Sequence, residues 1–136
     1  MTFVDTTAIY AILDRSDANH VVARKCWFSL VDSDAPLFTT NYVIVESCAL
    51  ARSRLGLDAV HAIQEDLLPL VEVVWVDEAS HSQAMTALLT AQRRKLSLVD
   101  CVSFVTMRNR GSQVAFAFDQ HFLEERFAFP ADDKEP

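Results

Sequence analysis

Four acidic residues stand where solvation alone explains them poorly: Asp5, Glu46, Asp100 and Asp119. Asp5 directly follows the short apolar run Thr2-Phe3-Val4 and precedes Thr6-Thr7. Glu46 lies within Tyr42-Val43-Ile44-Val45-Glu46-Ser47-Cys48-Ala49-Leu50. A lone Glu in so apolar a helix is costly unless it finds a cation or several donors. Asp100 falls in the first turn of the apolar stretch Leu98 to Phe104, and Asp119 follows Phe116-Ala117-Phe118. Each position has a bland account. Asp5 and Asp119 can cap helices, Asp100 can sit at a positive helix terminus, and Glu46 can lie on a polar stripe with Arg52 or Arg54. Ser97 is expected to cap the helix of Asp100, leaving that acid free for other work. Taken together, two acids end strands and two sit near the starts of apolar helices, places that converge above the carboxyl edge of a parallel sheet. Crowded carboxylates raise one another's pKa or require a counter-charge. A hard divalent cation with oxygen ligands, such as Mg²⁺ with several retained waters, is the natural one.

The elements that must position these acids alternate between short β-rich runs and longer helices. A strand at Thr2-Phe3-Val4 precedes a short helix from Ala8 to Leu13. Asp17 is expected to cap a helix to about Val31, with Val21, Val22, Cys26, Trp27 and Leu30 on one face. Pro36 to Thr39 reads as a strand. Asn41 can cap a helix through Leu55, where Gly56 ends it. Asp58 opens a helix to Leu68, stopped by Pro69. Val71 to Val76, dominated by β-branched residues, is the clearest strand. A helix from Asp77 to Arg94, a second from Ser97 to Arg110 closed by Gly111, a strand at Val114 to Phe118 and a short helix after Asp119 complete the chain. The expected fold class is α/β: a mainly parallel central sheet of four or five strands flanked by about seven helices. A single domain is expected over 1–130, with 131–136 a polar, frayed tail.

Composition narrows the chemistry further. The chain has 136 residues, is 51% hydrophobic and contains only 2 glycines, too few for a Gly-rich phosphate cradle. No apolar run reaches the ~20 residues of a membrane span, and the N-terminus does not read as a signal peptide, so the cytoplasm is the expected location. Cys26, Cys48 and Cys101 form no Cys-x-x-Cys pair and are expected to be buried, reduced thiols. A net charge of −7 opposes nucleic-acid binding, whose affinity rests on phosphate contacts. That objection weakens if the acids hold cations, because a bound ion reverses the local charge.

The chain resembles the PIN domain and, within it, the VapC-type toxins of bacterial toxin–antitoxin pairs. The residues that carry the resemblance are Phe3-Val4-Asp5-Thr6-Thr7, Thr39 to Glu46, Leu96 to Asp100 and Ala115 to Phe122, in order and at matching spacing. The resemblance implies a PIN-like fold and cleavage of RNA dependent on Mg²⁺ or Mn²⁺, leaving a 5′-phosphate and a 3′-hydroxyl. It carries the four acids onto Asp5, Glu46, Asp100 and Asp119, with Thr6 and Ser97 as supporting hydroxyls. It also implies a VapB-like antitoxin that blocks the site. The apolar surplus, including Trp27 and Phe28, would suit that partner or a homodimer. One departure is Ala117, where the family often has a hydroxyl; it points to Asp119 as an outer or water-mediated member.

Substrate grip is expected from Arg93-Arg94-Lys95, beside Asp100, with Arg52, Arg54, Arg108 and Arg110 as weaker candidates. His121 is a further RNA candidate, while His20, His61 and His81 read as surface residues. Other acidic α/β phosphoryl-transfer sites fit poorly. A receiver domain needs an adjacent acid pair and a haloacid-dehalogenase-like phosphatase an Asp-x-Asp, and Asp5-Thr6-Thr7 is neither. A non-catalytic module that keeps the fold is the remaining alternative.

Overall fold

A computed structural model describes residues 1–131; residues 132–136 of the expected polar tail lie outside the described residues. Strand β1 (Thr2–Val4) leads into α1 (Thr6–Leu13) and α2 (His20–Asp32), then β2 (Leu37–Thr40) and α3 (Asn41–Leu55). Helix α4 (Leu57–Ala62) passes into a π turn (Ile63–Leu67) and a 3₁₀ turn (Leu68–Leu70) before β3 (Glu72–Val74). Helices α5 (Glu78–Ala91) and α6 (Leu98–Arg110), strand β4 (Val114–Phe116) and α7 (Gln120–Glu124) follow. The four strands form one parallel sheet in the order β3-β2-β1-β4. The chain thus steps outward from β1 to β3 and then returns to the far side of β1. That reversal makes the carboxyl ends of β1 and β4 the topological switch point, where open α/β sheets place their ligands.

Several boundaries differ from the sequence expectation, each for a local reason. Helix α1 starts at Thr6 because the Asp5 carboxylate caps it two residues earlier than expected. Helix α2 is capped by Asn19 without a side-chain bond; the Asp17 carboxylate is used in the preceding turn, accepting from Asn19 N. Thr40, rather than Asn41, caps α3, and Asn41 reaches across to accept from Val76 N at 2.8 Å. The helix expected from Asp58 to Leu68 is broken into α4 and two irregular turns, since Pro69 lacks an N–H and disfavours a helical residue before it. Strand β3 is three residues long, not six, and Trp75 beyond it is exposed. Helix α5 stops at Ala91, where Gln92 turns left-handed (φ 52°). Gly56 ends α3 at φ 94° and Gly111 ends α6 at φ 69°, conformations that glycine adopts without steric cost.

Beneath the switch point lies an aromatic core. Phe3, Phe38, Phe116 and Phe122 are fully buried. Phe3 meets Phe38 edge-on at 5.4 Å, and Phe104 meets Phe122 at 5.1 Å, geometries that suit ring quadrupoles. Trp27 joins this core and so is not the interface residue the sequence suggested; its neighbour Phe28 is exposed. Cys101 is buried, whereas Cys26 and Cys48 are only half-buried. At the open edge, Glu72 of β3 accepts two bonds from Arg110 at 2.7 and 2.9 Å.

Phe122 ties α7 to this core, so Phe122→Ala should remove about 3–5 kcal/mol of stability, as large-to-small aromatic changes do. Urea unfolding of the two proteins measures it; a loss under about 1 kcal/mol would contradict the packing described.

Candidate metal centre

The local sequence places each acid at the start of a helix or on its inward face. The Asp5 carboxylate caps α1, with one oxygen, Oδ2, accepting from Thr7 N at 3.1 Å and Thr7 Oγ1 at 2.6 Å. Thr7 Oγ1 in turn accepts from Phe118 N at 2.9 Å. Through one hydroxyl, the end of β1 is fastened to the segment leaving β4. Ser97 and Asp100 form a reciprocal capping box: Asp100 N donates to Ser97 Oγ, and Ser97 N donates to Asp100 Oδ2, both at 3.0 Å. Asp100 is therefore not as free as its spacing suggested, because one oxygen is engaged. Asp119 caps α7, its Oδ1 accepting from His121 N at 2.9 Å. Glu46 is half-buried on α3, where the Thr6 hydroxyl works against the rise that burial causes in its pKa, and Thr6 accepts from Ser47 Oγ at 3.2 Å. The cap readings of Asp5, Asp119 and Ser97 hold, while Asp100 joins the cap it was expected to be free of; in each case the cap bond falls on one carboxylate oxygen.

The four acids act on one another. Asp5 is 3% exposed, and its pKa is pushed up to about 7, chiefly by burial, with Asp100 and Asp119 adding repulsion against the lowering bonds from Thr7. Glu46 and Asp100 are raised for the same first reason, burial; Asp100 and Asp119 add to the rise of Glu46, and Asp119 to that of Asp100. Among the described residues, none of the four is ion-paired with Lys or Arg. Buried carboxylates without a cationic partner suit a divalent cation, which supplies the missing charge to oxygen donors.

The tightest group is not the one the sequence favoured. Ligand atoms of Asp100, Asp119 and His121 lie within 4.8 Å of one another, whereas Asp5 and Glu46 are linked to this group through charge. Asp119, placed in an outer role because of Ala117, belongs to the tight group. Two residues stand in roles the sequence reading did not give them. Thr7 bridges Asp5 and Phe118, and His121 joins the acids rather than standing beside them. The spacing Asp119-x-His121 was the available signal, since a capping Asp draws the N–H two residues on towards itself. His20 and His81 are not plain surface residues: His20 Nδ1 lies 2.8 Å from Ala11 O, and His81 pairs with the Tyr42 hydroxyl. Arg93 is occupied, bonding Glu124 at 2.8 Å and Glu125 at 2.7 Å, with Glu125 also held by Arg108 at 2.6 Å. Glu124 and Glu125 form this clamp. Arg94 and Lys95 are exposed.

Comparison with known proteins adds independent findings. The PIN domain profile matches residues 2–127. The 23S rRNA-specific endonuclease VapC20 of Mycobacterium tuberculosis is 36% identical over 128 residues, covering 93% of this chain and 95% of that protein. Ribonuclease VapC26 of the same organism is 25% identical over 121 residues, covering 88% and 87%. The crystal structure of the Mycobacterium tuberculosis VapC20 toxin superposes with a TM-score of 0.84 at 33% identity, covering 94% of this chain and 97% of that one. FitAcB from Neisseria gonorrhoeae has the same fold, with a TM-score of 0.67 at 18% identity over 96% and 97% of the chains.

The raised Asp5 pKa sets a sign for stability. An unfolded aspartate ionises near 3.8 and the folded one near 7, so between these values the native state holds the extra proton. In the metal-free protein this contribution is complete below about pH 3.8 and is lost as pH rises to about 7. Asp5→Asn should flatten that part of the profile and raise the melting temperature at pH 8 without metal. Melting curves in chelator from pH 5 to 8 check it; an unchanged slope would show that Asp5 is not the group responsible.

Proposed function

The chain belongs to the PIN domain family, and from that premise we propose that it is a divalent-metal-dependent endoribonuclease, the toxin of a VapBC-type pair. One observation carries the reading: buried and half-buried acids that, among the described residues, are ion-paired with no Lys or Arg gather at the switch point of a parallel sheet, on a chain 36% identical to a curated rRNA endonuclease. Asp5, Glu46, Asp100 and Asp119 are the proposed catalytic and metal-holding residues, with Mg²⁺ or Mn²⁺ as the ion and Thr6 and Ser97 in support. When bound, such an ion lowers the pKa of a water and polarises a phosphate. The residues supply the rest. Ser97 and Thr7 orient Asp100 and Asp5, the carboxylate oxygens not engaged in caps face the reaction, and a carboxylate accepts the proton of the attacking water.

The substrate is RNA with exposed bases. A recess of about 370 Å³ beside Glu46 is lined by Asn41, Tyr42, Val45, Ala49 and Val99. It offers apolar and aromatic surface to an unstacked base. Arg94 and Lys95, next to the capping box of Asp100, are proposed to meet phosphates. Arg93, assigned to the same role from sequence, is held by its two glutamates and contributes to phosphate binding only indirectly. The partner is a VapB-like antitoxin that places a basic group among the acids. Val21 and Val22 on α2 and Val45 on α3 are exposed, and with Trp75 and Leu89 they supply apolar surface for that partner and for a homodimer. No helix among the described residues is long and apolar enough to cross a membrane, which agrees with a cytoplasmic place of action.

Incubating the purified protein with bacterial ribosomal RNA tests the reading. Cleavage with Mg²⁺ or Mn²⁺ should stop on chelation and fall by more than about 100-fold in Asp5→Ala, since outer-shell changes alone cost 10–100-fold. Cleavage that survives both treatments rules out the acid-held ion.

A further inference from the structure

The four-acid pattern leaves out one residue that the fold builds into the same place. His121 sits two residues after Asp119 on α7, is half-buried, and lies within the 4.8 Å group formed with Asp100 and Asp119. Its ring is not loose. Nδ1 faces Glu124 Oε2 at 3.2 Å, and the ring also meets the Lys95 backbone. That same Glu124 oxygen accepts from Arg93 Nη1 at 2.8 Å, while Arg93 Nη2 bonds Glu125, itself held by Arg108. The order Arg93, Glu124, His121 is therefore a continuous brace running from the loop after α5 to the acids. A carboxylate on the distal nitrogen of a histidine is the outer-shell arrangement that fixes the orientation of metal-binding imidazoles and raises their basicity.

We propose that His121 is a direct nitrogen ligand of the metal centre, alongside Asp100 and Asp119, and that Glu124 and Arg93 are the residues that position it. With Nδ1 turned to Glu124, the other ring nitrogen would be the one to hold the ion. The inference rests on the acid-held ion proposed above and deepens it, because a nitrogen donor changes which ion the site prefers. Mg²⁺ takes oxygen ligands and gives up its waters reluctantly. First-row transition ions accept imidazole. The site accordingly favours Mn²⁺ over Mg²⁺, and the brace explains why Arg93 is withdrawn from phosphate contact.

Pulsed electron paramagnetic resonance of the full-length protein loaded with Mn²⁺ provides the test, without reference to turnover. The wild type should show ¹⁴N modulation from one histidine, replaced by the ¹⁵N pattern when histidine is ¹⁵N-labelled and absent in His121→Ala. Titrations should show Mn²⁺ affinity falling about 10–100-fold in Glu124→Ala and Arg93→Ala, and the Mn²⁺-over-Mg²⁺ preference shrinking about 10-fold in His121→Ala. Labelled wild type keeps the test decisive even if a variant fails to fold. Mn²⁺ binding that depends on Asp5 but shows no nitrogen coupling overturns the inference and leaves the acid-held ion standing. Absence of any Mn²⁺ binding overturns both.

Discussion

The rest of the structure depends on holding several carboxylates together at the carboxyl edge of β1 and β4, where, among the described residues, none of them is ion-paired with Lys or Arg. Burial raises Asp5, Glu46 and Asp100, and their mutual charge raises them further. The fold offsets this with one donor group per acid: Thr7 for Asp5, Thr6 for Glu46, Ser97 for Asp100 and the His121 amide for Asp119. Capping and metal binding are therefore not rival roles. A carboxylate has two oxygens, and where the caps are resolved one oxygen orients the group through the backbone while the other remains for the site.

This arrangement needs a rigid base, and the parallel sheet supplies it. The register that pairs Val4 with Phe116 brings Asp5 level with Ala117, and Asp5 N donates to Phe116 O at 3.1 Å, extending the ladder to the site itself. Thr39 Oγ1 donates to Val4 O at 2.7 Å, fixing β1 from its other side. Below, the ring cluster of Phe3, Phe104, Phe122 and Phe127 locks α6 and α7 together, so Asp100 and Asp119 cannot separate without disturbing the core. Above, Arg93 and Arg108 hold Glu124 at the end of α7 and Glu125, which closes it. Surface ion pairs of this kind add little stability singly; their importance here is geometric, because α7 has only five residues and would fray without them.

The sequence by itself determined the acids, the order of the elements and the class of the fold. Those signals are local: hydrophobic period, a glycine after a helix, a hydroxyl three residues before an acid. The Ser97 cap was legible because it closes within four residues, although the returning bond to Asp100 was not read. The tertiary structure decided what depends on partners distant in the chain. Asn41 left its expected cap for Val76, Arg93 was claimed by Glu124 and Glu125, and Thr7, itself bonded to Asp5, met Phe118 across 111 positions. No spacing rule reports such choices, since a side chain's best partner is set by which backbone ends the sheet brings side by side. For the same reason the sequence could name Asp119 and His121 but not group them with Asp100. Only the docking of α7 against the start of α6 does that.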